Sequence, residues 1–405
     1  MLARYAEVRR QSLRLCEPLE IEDYGLQAMA DTSPPKWHLA HSTWFFETFI
    51  LKHFEQGFRP HHPDFHHLYN SYYVTIGDPY PRPRRGLISR PTVEQVRAYR
   101  AAVDGRMEAL LRGLEEPALA RAAPLLSLGL NHEQQHQELL LTDIKFCLSV
   151  NPLLPAYDQR LPRPADRAEA ASSAPAGWLE HPGGLHDLGH GGDGFHFDNE
   201  GPRHRVYLQP FALQDRLVTC AEYLAFIEDG GYQTAALWLS DGWDRVQAQG
   251  WEAPLYWLRG DGGWQIYTLG GVRELHPQEP VCHVSHYEAD AFSTWAGARL
   301  PTEFEWEAAA RGAGATPEIG NFVDSHCLHP MAAGAQIAHP IDSQTSPTGG
   351  GGGGLRQLLG DVWEWTSSAY LPYPGYRPAA GAVGEYNGKF MSGQQVLRGG
   401  SCATP

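Results

Sequence analysis

No apolar run in this 405-residue chain approaches the ~18–20 residues needed to cross a bilayer as a helix. The first residues, Met1-Leu2-Ala3-Arg4-Tyr5-Ala6-Glu7, open as an amphipathic helix and lack the apolar core of a signal peptide. Basic residues are short in supply. There are 32 Lys and Arg against 47 Asp and Glu, a formal charge of -15, which argues against a general binder of nucleic acid. Such a binder needs clustered Lys and Arg to neutralise phosphates. Cysteine is sparse and scattered: Cys16, Cys147, Cys220, Cys282, Cys327 and Cys402 include no Cys-x-x-Cys pair. A disulfide framework is therefore not expected, and the thiols read as reduced. Together these absences point to a cytoplasmic protein with neither membrane nor nucleic acid as a partner.

What is plentiful is histidine and tryptophan, 20 and 12 residues. A histidine excess raises the expectation of metal chemistry, although most of these side chains must still be ordinary core or surface groups. At roughly 150 residues per domain, the length implies two or three domains. Residues 1–150 carry apolar residues at helical spacing in four segments: Leu2–Leu19, Pro34–Phe54, Pro91–Leu114 and Leu125–Val150. Two begin with proline in or near the first turn, and Ser89 or Thr92 is placed to cap the third. Four such helices predict a bundle, whose core can hold a metal between facing helices. A long loop, Glu55 to Arg90, carries Asn70-Ser71-Tyr72-Tyr73 and Pro79-Tyr80-Pro81-Arg82-Pro83-Arg84-Arg85-Gly86, and its length and composition favour a functional role.

Residues 151–178 read as a linker, with Pro152, Pro155, Pro162, Pro164 and the Ala/Ser run before Pro175. From 179 to 405 the chain is rich in Gly, Trp and short segments, which predicts an irregular α+β domain with two helices, Cys220–Asp229 and His286–Ala298. The tract 349–354 is all glycine and reads as a surface loop.

The strongest motif is Asn131-His132-Glu133-Gln134-Gln135-His136-Gln137-Glu138 on the fourth helix. At ~100° per residue, His132 and His136 lie about 40° apart and one turn from each other, so both can grip one ion. Glu138 is rotated about 200° from His136, which takes it off the ligand face and free to orient a neighbour or bridge helices. Gln135 sits about 60° from His132, at the edge of that face. A third ligand must come from another helix, and Trp37-His38-Leu39-Ala40-His41 offers two candidates, His38 and His41. Three neutral imidazoles with open positions suit Zn(II) or Fe(II).

These residues resemble a known family across nearly the whole chain: the sulfoxide synthases of ergothioneine biosynthesis (EgtB), with their selenoneine synthase (SenA) relatives. The N-terminal half is similar to their DinB-like four-helix bundle. The C-terminal half is similar to the formylglycine-generating-enzyme fold, a C-type-lectin-like domain. The strings that carry this second likeness are Arg299-Leu300-Pro301-Thr302-Glu303-Phe304-Glu305-Trp306-Glu307, Gly360-Asp361-Val362-Trp363-Glu364-Trp365-Thr366 and Arg398-Gly399-Gly400-Ser401. Most of these are fold signatures, and Trp363 and Trp365 read as core.

The resemblance implies a non-haem Fe(II) enzyme that uses O2 to join sulfur or selenium to the imidazole ring of hercynine. It selects His41 over His38, so that His41, His132 and His136 hold the iron, and it agrees that Glu138 is no ligand. It assigns Tyr72 and Tyr73 to proton or electron delivery and Gln135 to the substrate imidazole. Arg82 and Arg85 are candidates for bidentate binding of the donor's carboxylate. The donor is a thiol or, on the alternative reading, a selenosugar. Phe390-Met391-Ser392-Gly393-Gln394 stands where the sulfur-specific bacterial members carry a Cys-Asn pair, a change compatible with a different donor. The resemblance also implies a further segment after Ser401, with an Arg-Asn-aromatic-aromatic stretch, so the second domain is expected to lack its last part at Pro405. A further alternative is a zinc-dependent thiol transferase of the DinB-like class. Formylglycine-type copper chemistry is disfavoured, because only Cys402 lies in the region where two cysteines are needed.

Overall fold

The computed structural model describes residues 1–162, 175–334 and 354–405. Residues 163–174 of the expected linker and 349–353 of the glycine tract lie outside the described residues. No described helix is long and apolar enough to cross a membrane.

The N-terminal half begins with α1 (Leu2–Arg14) and α2 (Pro35–Phe46), and α2 runs on through a π-helical turn, Glu47–Leu51, into the short α3 (Lys52–Phe54). A single turn, α4 (Phe65–Leu68), and a 3-10 turn at Arg82–Leu87 interrupt the long loop before α5 (Val93–Gly113) and α6 (Glu116–Ser149). Pro35 occupies the first turn of α2, where a missing N–H costs no helical bond. Every residue of α2 is buried, and it packs on α5 and α6 while α1 closes on α6. Thr92, not Ser89, caps α5: its hydroxyl accepts from the Gln95 amide, and the Gln95 side chain accepts from the Thr92 amide.

The fourth long helix starts at Glu116 and not at Leu125, because Pro124 does not interrupt it. Pro124 and Ala120, whose carbonyl loses its helical donor, are both exposed, so that carbonyl is open to solvent and not stranded in the core. Five residues on, Gly129 lets α6 approach α2. A Cβ there would lie 2.8 Å from the Phe46 ring and 2.9 Å from the Phe45 ring. A buried ion cluster locks the same region. Glu133 of α6 accepts from Arg9 of α1 at 2.9 Å, from Ser12 at 2.6 Å, and from Arg100 of α5. Burial opposes the charge on Glu133, but Arg100 and Arg9 outweigh it and hold the carboxyl down to about 2.

The second half is built of small antiparallel ladders. Among β1 (Trp178–His181), β2 (Gly184–Leu188), β3 (His204–Leu208) and β4 (Phe211–Gln214), β1 pairs with β4 and β2 with β3. After α7 (Cys220–Glu228) and α8 (Ser240–Gln249) comes a meander of β5 (Trp257–Gly260), β6 (Gly263–Thr268) and β7 (Gly271–Glu274). Helices α9 (His286–Trp295) and α10 (Glu303–Gly312) precede β8 (Glu364–Ala369), which pairs with β9 (Gln395–Arg398). The sequence led us to expect two helices here, α7 and α9. Helices α8 and α10 are additional to these, the latter falling within the string Arg299 to Glu307 that carries the fold likeness.

The halves share a core. Leu141, Ile144, Cys147 and Leu148 at the end of α6 cluster with Cys220, Tyr256, Trp257, Ile266, Tyr267 and Leu269. Lys145, buried in the same stretch, lies 2.7 Å from His283 Nε2.

Candidate metal centre

Helix α2 delivers His41, and α6 delivers His132 and His136 one turn apart. The three ring nitrogens lie within 4.8 Å of one another, the single such group among the described residues. His41 Nδ1 donates to the Tyr69 carbonyl at 2.6 Å, which leaves its Nε2 a bare lone pair. That Nε2 stands 3.2 Å from His132 Nε2. Two nitrogens 3.2 Å apart, each about 2.1 Å from one ion, subtend about 100°, between tetrahedral and octahedral values. Burial pushes the His132 pKa down to about 3. Burial, then the neighbouring imidazoles, push His41 and His136 well below their usual range. Three neutral imidazoles facing one point are a donor set that fits a divalent transition metal.

His38 does not join the trio; it stands behind it. Its Nδ1 lies 2.9 Å from His136 Nδ1, and its Nε2 lies 3.0 Å from Asp143. Asp143 also accepts from the Ser33 amide at 2.8 Å. A carboxylate only accepts, so His38 Nε2 carries the proton and His38 Nδ1 accepts from His136 Nδ1. The chain Asp143–His38–His136 thus leaves the His136 lone pair on Nε2, facing the other two rings.

Around the trio, Trp37 stacks on His41 with centroids 4.5 Å apart, and the Arg85 guanidinium lies 3.4 Å from the Trp37 centroid. Arg85 is buried and donates to Ser33 and Ser71, but its Nε has no partner. Arg82 is exposed, and its carbonyl accepts from Gln27. Tyr72 and Tyr73 stack at 4.5 Å, with hydroxyls 3.3 Å apart. They sit one ring away from the imidazoles. The Tyr73 ring is 5.7 Å from Trp44, itself 5.5 Å from His41, while Tyr72 is 6.5 Å from Tyr386, itself 5.8 Å from His132. Burial pushes Tyr72 up to about 12 and raises Tyr73 well above the usual phenol range.

The second domain reaches this centre through a loop. The Tyr386 hydroxyl donates to Gln135, and Gln135 and Asn387 line an interdomain cavity of about 480 Å³ with Phe197, Trp363 and Arg398. Glu138 bridges domains and not helices: it accepts from Trp363 Nε1 at 2.8 Å, Ser401 at 2.6 Å and Thr404 at 2.8 Å. Trp363 is therefore not core. It is 42% exposed, because its indole N–H is spent on that carboxylate at the cavity wall. Trp365 is half-buried and donates to the Val284 carbonyl at 3.0 Å. Sequence reasoning passed over Asp143 and Tyr386. Asp143 carried a signal, two turns from His136 on one helix. Tyr386 carried none, since its loop belongs to the other domain.

Comparison with known proteins matches residues 4–140 to the DinB superfamily and residues 163–405 to the sulfatase-modifying factor enzyme 1-like domain. The chain is 33% identical over 416 residues to the hercynine oxygenase of Mycolicibacterium smegmatis, covering 98% of this chain and 90% of that one. It is 34% identical over 410 residues to the hercynine oxygenase of Mycolicibacterium thermoresistibile, covering 98% and 86%. The second half alone is similar to the formylglycine-generating enzyme of Streptomyces coelicolor, 32% identical over 268 residues, 59% of this chain and 84% of that one.

Proposed function

Because the chain belongs to the hercynine oxygenase family, we propose that it is an ergothioneine-type sulfoxide synthase, forming a C–S or C–Se bond on the imidazole ring of hercynine with Fe(II) and O2. The observation that carries this reading is the convergence of His41, His132 and His136, with Gln135, the neighbour of His136 in the chain, lining the interdomain cavity. Iron held by those imidazoles would supply the activation of dioxygen and a soft-ligand position for a thiolate or selenolate.

The protein's own residues supply orientation and protons. Asp143, through His38, and Tyr69 determine which nitrogen His136 and His41 present. Gln135, held by Tyr386, is placed to bind the substrate imidazole. Burial keeps Tyr72 and Tyr73 protonated at neutral pH, so either phenol has a proton to give. Arg85 offers its unpartnered Nε to a donor carboxylate, and Arg82 is the second candidate on the same turn. Holding reactants within ~3–3.5 Å is the larger part of the task.

The test is anaerobic reconstitution with Fe(II), then hercynine and O2 with cysteine, a larger thiol and a selenosugar in competition, read by mass spectrometry. A sulfoxide product with O2 uptake supports the sulfur reading, and a selenium adduct identifies a selenoneine synthase. Bound zinc with no O2 uptake would replace both with a thiol transferase.

A further inference from the structure

We propose that Glu385 and Lys389, in the second domain, are positioning residues that hold the Tyr72–Tyr73 pair against the metal centre. The proposal rests on the reading above that these phenols serve the reaction.

Glu385 ends one 3-10 turn, Ala382–Glu385, and Lys389 sits in the next, Gly388–Phe390. The Glu385 carboxylate accepts from the Val74 amide at 3.0 Å with one oxygen. Its other oxygen takes the Thr75 amide at 3.0 Å and the Thr75 hydroxyl. Lys389 Nζ donates to the Tyr72 carbonyl and, at 2.8 Å, to Glu385. Phe390 meets Tyr72 edge-on at 5.2 Å. The backbone from Tyr72 to Thr75 is thus gripped on both sides by groups more than 300 positions later in the chain.

The first domain holds the flanks of this stretch, with Asn70 donating to the Gly77 carbonyl at 2.8 Å and the Ile76 amide donating to the Tyr73 carbonyl at 3.1 Å. Asn70 accepts from the Tyr73 amide at 3.1 Å and donates to the Tyr73 carbonyl at 3.0 Å. Beyond that, Val74 is 66% exposed, and among the described bonds its amide and that of Thr75 go to Glu385 alone. Burial works against the Glu385 charge, but the bonds from Lys389, Thr75 and Val74 outweigh it and hold the carboxyl at about 2. The clamp is therefore an anion throughout the working pH range.

The residues between the two grips face elsewhere. Tyr386 reaches Gln135 on the metal helix, and Asn387 donates to Asp198 at 2.6 Å on the cavity side. One five-residue stretch therefore joins the tyrosine loop, the metal helix and the cavity wall. Its carboxylate fixes where the phenols stand relative to whatever occupies that cavity.

The test compares the iron-loaded full chain with Glu385→Gln, Lys389→Met and Lys389→Arg. Glutamine is a demanding substitute, since it turns one acceptor oxygen into an N–H2 facing N–H donors. We expect Val74 and Thr75 amide exchange to speed at least about tenfold in Glu385→Gln. We expect kcat to fall about tenfold while the hercynine KM and iron content stay within about twofold, because misplacement harms the chemical step and not binding. Lys389→Met should act in the same direction and Lys389→Arg should restore most of the rate. Unchanged amide exchange overturns the clamp, and faster exchange with unchanged kcat overturns its role in positioning. If the wild-type chain turns over no hercynine, the functional reading fails, and the exchange data still decide whether Glu385 holds the loop.

Discussion

Replacing His38 with phenylalanine tests the logic of the centre most directly. An aromatic ring is kept, somewhat larger than imidazole, but His136 Nδ1 loses the acceptor that lies 2.9 Å away, and Asp143 loses its link to His136. His136 is then free to carry its proton on Nε2, the atom that must be bare to bind. Removing such an outer partner costs about 10- to 100-fold in metal affinity, about 1.4–2.7 kcal/mol. His41 keeps its own bond to Tyr69, so that ligand stays oriented and binding weakens without vanishing. The assay is a competition titration of Fe(II) or Zn(II) against a chromophoric chelator, for wild type, His38→Phe and His41→Ala. His41→Ala should abolish tight binding, with His38→Phe between it and wild type. At saturating Fe(II), His38→Phe should recover kcat to within a few-fold. An affinity equal to wild type would refute the tautomer argument, and one as poor as His41→Ala would make His38 a ligand.

Other outcomes follow from the packing. Glu133→Ala takes the carboxylate from Arg100 and leaves Arg9 with Asp104 alone, and should cost about 3–5 kcal/mol in urea unfolding. Because the folded Glu133 pKa is depressed to about 2, this contribution is full above the unfolded value and drains away as pH falls, so the two unfolding curves should converge in acid. Glu364 behaves oppositely. Burial pushes its pKa up to about 8, so wild-type stability should fall between the ordinary glutamate range and pH 8, while Glu364→Gln, measured by Tm against pH, should lack that slope. Gly129→Ala forces a methyl onto Phe45 and Phe46 and should cost about 1–3 kcal/mol, with weaker metal binding as α6 is pushed from α2.

What the sequence made legible was local. The proline at the start of α2, the cap at Thr92 and the one-turn spacing of His132 and His136 are all written within a few residues. So was the angular argument that takes Glu138 off the ligand face. What escaped depends on where distant surfaces land. Nothing near Glu138 says that Trp363, Ser401 and Thr404 will close on it, and nothing near Gln135 announces Tyr386. The start of α6 at Glu116, before Pro124, was not legible, because a proline's cost depends on whether the freed carbonyl is open to solvent, which is a property of the packed bundle. The choice between His38 and His41 came from likeness to a family. The structure adds the physical reason for the geometry: the two rings are one turn apart on α2, with His41 toward the other imidazoles and His38 toward Asp143.

Helix α6 presents imidazoles at its middle and buries its last turns in the other half. A cut near residue 150 would leave a bundle showing Leu141, Ile144 and Leu148 to solvent, an invitation to aggregate. The chain should therefore melt as one unit, and any graft of a foreign lectin-like partner must inherit the tail of this shared spine or fail to dock.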